Sequence, residues 1–266
     1  MTRHGTQEVD EHFTITLARG VQILQAFSSE KPTLTNGELV TLTGMDKATV
    51  SRLAFTLIEL GYLRREGLRG GYSLDTGVLT LGYPLLASMH IRQVARPWMH
   101  NLSEHMDGTV SLCVRDRSSI IYLDSVRKID SNTPSVDIGS SLPLLASAAG
   151  RAWLCSVSEA QRTAALNQIR LQTPAVFEAN QKEIEKTKSQ MQRHGFSINR
   201  GAHDARRVAV AVPMCKLLHG ELIVFNCSLL ADESLRLAKA REAGYALRDM
   251  VRHIEVAIGM RTLDNE

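Results

Sequence analysis

Lys47, Thr49, Ser51 and Arg52 fall within six consecutive residues, which brings two cations and two hydroxyls to the opening turns of one helix. A set of that kind is suited to meeting a polyanion. Arginine forks onto guanine, serine or threonine hydroxyls bond a base edge or a phosphate, and major-groove readers carry such contacts at the start of their recognition helix. Arg64, Arg65 and Arg69 follow around the Gly70-Gly71 tip of a hairpin. There they would meet phosphates or a minor groove and supply affinity rather than sequence choice. Arg19 is a further phosphate candidate. From Asp46 to Tyr72 the net charge is only +2, so charge alone does not separate a DNA reader from a solvated helix beside an ordinary hairpin.

The elements that hold these residues can be read from caps and periodicity. Asp46 is a good N-cap for a helix on which Val50, Leu53, Ala54, Leu57 and Leu60 form one apolar face, and Gly61 stops it. Before it, Thr35 or Asn36 can cap a shorter helix, with Glu38 placed for a capping box, and Thr43-Gly44-Met45 makes the turn between the two. Tyr62–Glu66 and Gly71–Leu74 then form a hairpin. Helix, turn, helix and basic hairpin in that order are the pattern of a winged helix-turn-helix. An earlier helix opens at Thr14 with apolar residues Leu17 (or Ala18), Val21, Leu24 and Phe27 at helical spacing. We therefore expect a disordered tail over 1–13, a winged helix-turn-helix DNA-binding domain over 14–75, and a linker helix within 76–90. Pro84 and Pro97 should each break or kink a helix.

Residues 91–260 alternate differently. Strand-like runs at Val110–Arg115 and Ile120–Val126 are joined by Asp116-Arg117-Ser118. A small-residue helix over Ser147–Cys155 is followed by helices at Glu159–Ile169 and Glu178–His194. Further strands lie at Phe196–Asn199, Val208–Met214 and Glu221–Ser228, and a helix from Asp232 to Met260 closes the chain. Hairpin strands flanked by separate helices predict an α+β domain with an antiparallel sheet. The run Ala146-Ser147-Ala148-Ala149-Gly150 opens a helix whose N–H groups can face a ligand carboxylate, although small residues also permit close helix–sheet packing.

Composition narrows the classes of function. A length of 266 residues suits two domains. An aromatic content of 5% argues against stacking platforms for single strands or RNA. A net charge of +3 and a pI near 8.7 permit a polyanion partner without requiring one. Cys113, Cys155, Cys215 and Cys227 form no metal or redox spacing, as expected of free thiols in a reducing compartment. No apolar run approaches a membrane span, and a cytoplasmic location is expected. No metalloprotease, P-loop, dinucleotide or nucleophile-elbow motif is present, and His203-Asp204 reads as loop surface. No catalytic residue, metal or cofactor is expected. The alternative is a small-molecule-processing enzyme carrying an accessory winged helix; a winged helix used only for protein contacts would have little reason for Lys47 and Arg52 beside a basic hairpin.

With both halves described, the chain resembles the IclR family of bacterial transcriptional regulators from about Thr14 to Ile258. The matching segments are Leu17-Ala18-Arg19-Gly20-Val21-Gln22-Ile23-Leu24, Lys47-Ala48-Thr49-Val50-Ser51-Arg52-Leu53, Leu60-Gly61-Tyr62-Leu63, Gly71-Tyr72-Ser73-Leu74 and, most strongly, Ile138 through Ala152. The resemblance implies a DNA-binding domain joined by a helix to a GAF-like domain that binds a small organic acid, aromatic acids included. It also implies a homodimer or a dimer of dimers that acts on a palindromic operator near catabolic genes. Carried over residue by residue, the effector positions are Ala148, Ala149, Asn199, Ala209, Asn226 and Ser228. This chain departs from the common pattern in having Leu145 for a histidine, Asn199 for an aspartate, Ala209 for a cysteine and Asn226 for a serine. Neutral amides that donate and accept thus stand in the inferred pocket, with Arg206 and Arg207 as candidate partners of an anion.

Overall fold

The computed structural model describes residues 12–67, 70–128, 137–200, 206–230 and 236–261. Arg69, His203-Asp204 and most of the expected N-terminal tail lie outside the described residues. The chain forms two compact units that divide between Ser88 and Met89.

The first unit runs α1 (Ile15–Gln25), β1 (Thr33–Thr35), α2 (Asn36–Thr43), α3 (Lys47–Glu59), β2 (Leu63–Glu66), β3 (Gly71–Leu74) and α4 (Gly77–Ser88). Thr35 caps α2 through a full capping box with Glu38, and Asp46 caps α3 by accepting from Thr49 N at 2.9 Å. Between the helices Gly44 sits at φ +70 and returns its N–H to Val40 O, a left-handed conformation that glycine adopts without strain. Ile23, Leu39, Met45, Val50, Ala54 and Leu57 meet Leu34, Leu63 and Tyr72 in one core. The hairpin gains an unforeseen third strand, giving the antiparallel order β1-β3-β2.

Two apolar faces remain uncovered within this unit. Of the residues of α1 only Ile23 is buried, while Leu17 is 68% exposed. No residue of α4 is buried, and Leu79 and Tyr83 are 72% and 71% exposed. The helical spacing of Leu17 and Val21 is real, but the face they form has no partner inside the unit.

The second unit runs α5 (His90–Met106), β4 (Gly108–Asp116), β5 (Ser119–Val126), β6 (Ser141–Pro143), α6 (Ala148–Ser156), α7 (Glu159–Gln172), α8 (Pro174–His194), β7 (Ser197–Arg200), β8 (Arg207–Pro213), β9 (Val224–Leu230) and α9 (Arg236–Ala257). Its six strands form one antiparallel sheet, ordered β6-β5-β4-β9-β8-β7. Leu112, Val210, Val212, Phe225 and Cys227 point to the face that carries α5 and α9, while Cys113, Tyr122, Ala211 and Val224 point to α6. Pro84 and Pro97 do not end their helices, which continue through both positions. Both prolines are exposed, so water can take the carbonyl that each leaves without an N–H. Helix α8 starts earlier than its periodicity suggests because Pro174 occupies its first position, where a missing N–H costs no helical hydrogen bond.

Candidate nucleic-acid interface and ligand pocket

On α3 the buried residues Val50, Ala54 and Leu57 turn inward, and Lys47, Ala48, Ser51, Arg52, Phe55 and Thr56 lie in solvent. Among the described residues Arg19, Lys47 and Arg52 have no acidic partner, so three cations of the first unit stand unneutralised. Thr49 is engaged differently: its hydroxyl donates to Asp46 Oδ2 at 2.6 Å as part of the cap. In the wing, Arg64 Nε donates to Glu66 Oε1 at 3.0 Å and to Ser73 Oγ at 3.1 Å. The Arg65 guanidinium lies 5.8 Å from the Tyr72 ring centroid. Both wing arginines are exposed but held in place, which reduces the side-chain ordering required when a phosphate is met.

Phe55 escaped the sequence reading. It is 58% exposed on the outer side of α3, one turn beyond Ser51 and Arg52, where a ring can cover a thymine methyl. The available signal was an aromatic residue set opposite the Val50–Ala54–Leu57 face.

Three carboxylates of this unit are held below their ordinary range. The Thr35 backbone N–H does this for Glu38, the Thr49 hydroxyl for Asp46 and the Ser73 hydroxyl for Glu66. A group whose folded pKa is depressed contributes stability that is present above its unfolded pKa and lost as pH falls through the folded value. The first unit should therefore lose thermal stability as pH drops below about 4. Asp46→Asn keeps a capping oxygen and removes one titration, so it should flatten that acid limb in a thermal-unfolding series from pH 7 to 3. An unaltered limb would show that the Asp46 cap does not contribute to it.

In the second unit, strand register brings four of the inferred effector positions onto one face. Asn199 pairs with Ala209, Ala209 with Ser228, and Ala211 with Asn226. Residues directly opposite in an antiparallel pair share a face, and Ala211 lies in the core cluster with Ala148 and Ala149 of α6. Ser111, which the sequence reading passed over, joins them by pairing with Asn226, and its hydroxyl lies 3.0 Å from that of Ser125.

These polar groups are not equivalent. Asn199 Nδ2 donates to Ala146 O at 2.6 Å, tying β7 to the entry of α6. Ser228 Oγ accepts from Arg207 Nη1 at 3.1 Å. Ser197 Oγ donates to Ala148 O at 2.7 Å. The Asn226 side chain makes no hydrogen bond among the described residues, although the residue is only 5% exposed. At the start of α6, held against β7 by the Asn199 and Ser197 bonds, the cap residue Ser147 takes Gly150 N–H at 2.9 Å, while the N–H groups of Ala148 and Ala149 donate to nothing in the described chain. N–H groups without an acceptor at a helix start suit an anion, and the Asn226 amide, on the same sheet face, can donate or accept.

Burial raises all four thiols above their ordinary range. Burial pushes Cys113 up strongly and Cys227 up to about 12. No group of three or more metal-ligating side chains exists among the described residues, and none of their helices is long and apolar enough to cross a membrane.

Comparison with known proteins agrees with this geometry. Residues 16–67 match the IclR helix-turn-helix domain, and residues 84–255 match the bacterial transcriptional regulator IclR C-terminal domain. The chain is 30% identical over 251 residues to the HTH-type transcriptional regulator TsaQ1/TsaQ2 of Comamonas testosteroni, covering 94% of this chain and 90% of that one. An IclR family transcriptional regulator from Brucella abortus superimposes with a TM-score of 0.81 at 37% identity, over 93% of this chain and 94% of that one. An IclR homologue from Microbacterium hydrocarbonoxydans, solved with 4-hydroxybenzoate, has a TM-score of 0.64 at 20% identity, over 90% of this chain and 99% of that one; this likeness carries the fold alone. Two domain matches that together span nearly the whole described chain, above a winged helix with unpaired cations and a sheet facing α6, mean that the chain belongs to the IclR family of bacterial transcriptional regulators.

Proposed function

We propose that the chain is a one-component switch for catabolic genes: a dimer, or a pair of dimers, that reads a palindromic operator and responds to a small organic acid, aromatic acids included. The observation that carries the effector reading is the sheet face packed on α6, where Asn226, 5% exposed, makes no hydrogen bond among the described residues and the first N–H groups of α6, at Ala148 and Ala149, have no acceptor there. Asn199, Ala209 and Ser228 complete the lining. The Microbacterium homologue bound to 4-hydroxybenzoate supports a hydroxylated aromatic acid as the first compound to try.

On the DNA side, Lys47, Ser51 and Arg52 act as readers, with Thr49 at the edge of the set. Arg19, Arg64, Arg65 and Arg69 act as phosphate anchors. Reading a palindrome needs two recognition helices about one DNA turn apart, ~34 Å, or a multiple of it. The uncovered apolar faces of α1 and α4 support a second copy of the chain as the partner that sets this spacing. Ligand in the second unit would alter it through α4, and a coupling of about 1–3 kcal/mol is enough.

Arg52→Ala tests the reader. It should weaken binding to DNA from the chain's own promoter by roughly 1–3 kcal/mol, read as a shift in gel-retardation midpoint, and an unmoved midpoint would remove Arg52 from the readout.

A further inference from the structure

Ser51 differs from the other hydroxyls of α3. Thr49 donates to Asp46 Oδ2 and Thr56 donates to the Arg52 carbonyl, so both hydrogens are spent inside the helix. Ser51 instead accepts, taking a hydrogen bond from Asn36 Nδ2 at 3.0 Å, and among the described residues its own hydrogen goes nowhere. A hydroxyl has one hydrogen and two lone pairs. With one lone pair held by Asn36, Ser51 keeps its hydrogen and one lone pair, and the bond it accepts polarises the O–H and makes it the better donor.

Asn36 is free to do this because it is not needed at the helix start. Thr35 and Glu38 form the complete capping box of α2, so the first residue of that helix can reach across to α3. The amide orientation has a visible cost: Asn36 Oδ1 is buried and has no partner. The opposite orientation would direct an acceptor at Ser51 and leave amide hydrogens in the same enclosed place. Orphaned N–H groups are the less tolerated of the two.

We propose that Asn36 is a positioning residue for sequence readout. It holds the Ser51 hydroxyl as a donor, so that the helix-turn-helix selects a base edge that presents acceptors and no donor, guanine O6 and N7 or thymine O4, over adenine and cytosine at the base pair Ser51 faces. The proposal rests on α3 as the recognition helix. Ser51 stands in its second turn, exposed beside Arg52, within the region from which such helices contact bases.

The experiment is selection from a randomised duplex DNA library by the full-length chain and by its Asn36→Asp, Asn36→Ala and Ser51→Ala variants, with thermal midpoints measured in parallel. The unaltered chain should enrich guanine or thymine at one position of each half-site. Asn36→Asp is nearly isosteric, and an acid is favourable at a helix start, so its midpoint should hold. It draws the Ser51 hydrogen onto its own carboxylate and leaves only lone pairs for DNA. The preference at that one position should then move to cytosine or adenine, whose amino groups donate. Ser51→Ala should erase the preference there, and Asn36→Ala should relax it by roughly threefold to tenfold without touching other positions.

A uniform loss of enrichment in Asn36→Asp with no change of base would be the mark of a merely structural or repulsive role, and would overturn the proposal. So would Asn36→Asp and Ser51→Ala acting at different positions. If the unaltered chain enriches no sequence, the DNA-reading assignment of α3 fails, and the proposal fails with it.

Discussion

A Gly150→Ala chain is expected to lose about 3 kcal/mol of stability in its second unit. A methyl group built on Gly150 lies far inside contact distance of the Leu144 carbonyl oxygen and 2.7 Å from that residue's carbonyl carbon and Cα. These are backbone atoms, with no rotamer to swing aside. Nor can Leu144 retreat freely, since its N–H donates to Ser118 O at 2.9 Å. The helix start must therefore move, and Ser147 would lose its bond to Gly150 N–H, the contact that caps α6. Both tryptophans, Trp98 and Trp153, belong to this unit, so a denaturant series followed by their fluorescence reports on it alone. A midpoint within about 0.5 kcal/mol of the unaltered chain would show that α6 can shift without penalty and that the close approach is incidental.

Asn226→Leu should have an effect of similar size on ligand response and almost none on folding. Its side chain makes no hydrogen bond inside the described chain, so an apolar side chain of comparable size breaks no internal contact of that kind. The thermal midpoint of the free chain should hold, to within about 0.5 kcal/mol. What should disappear is stabilisation by the acid. For a compound present at about a hundred times its Kd that stabilisation is about 2.7 kcal/mol. The measurement is a thermal-shift panel of benzoic acids and small aliphatic acids that begins with 4-hydroxybenzoate, repeated on the variant with whichever acid moves the unaltered chain. Promoter affinity of the ligand-free variant should be unchanged. A retained shift would place the acid elsewhere, and a lowered midpoint of the free chain would make Asn226 a structural residue.

Ser228 and Asn199 illustrate why these two outcomes could not be assigned from sequence alone. Alternation groups Asn226 with Ser228 on β9, and pairing through β8 brings Asn199 of β7 to the same face. Whether each side chain is already satisfied depends on atoms far along the chain: Asn199 is spent on Ala146, 53 residues away, and Ser228 on Arg207, 21 residues away. Asn226 has no such partner.

The order of the winged helix was legible because its signals are local. Asp46 and Thr35 with Glu38 announce helix starts within three residues, Gly44 marks the turn, and the spacing of Val50, Ala54 and Leu57 defines an inner face. The same locality made the larger strands and the α+β character of the second unit readable. Three-residue strands were not readable: β1 and β6 exist because a neighbouring strand offers hydrogen bonds, and each is too short for alternation to show, β1 despite its two threonines and β6 with Pro143 at its end. The start of α8 was missed for a different reason, since Pro174 reads as a breaker unless it stands at a helix's first position.

Residue types and local spacing thus decided which elements form and in what sequence they follow. Tertiary structure alone decided which polar groups are left over: the Ser51 hydrogen beside Asn36, the amide of Asn226, the first N–H groups of α6. Capping and periodicity are settled within a turn or two of chain, whereas the satisfaction of a buried donor or acceptor is settled by whatever the completed fold brings against it.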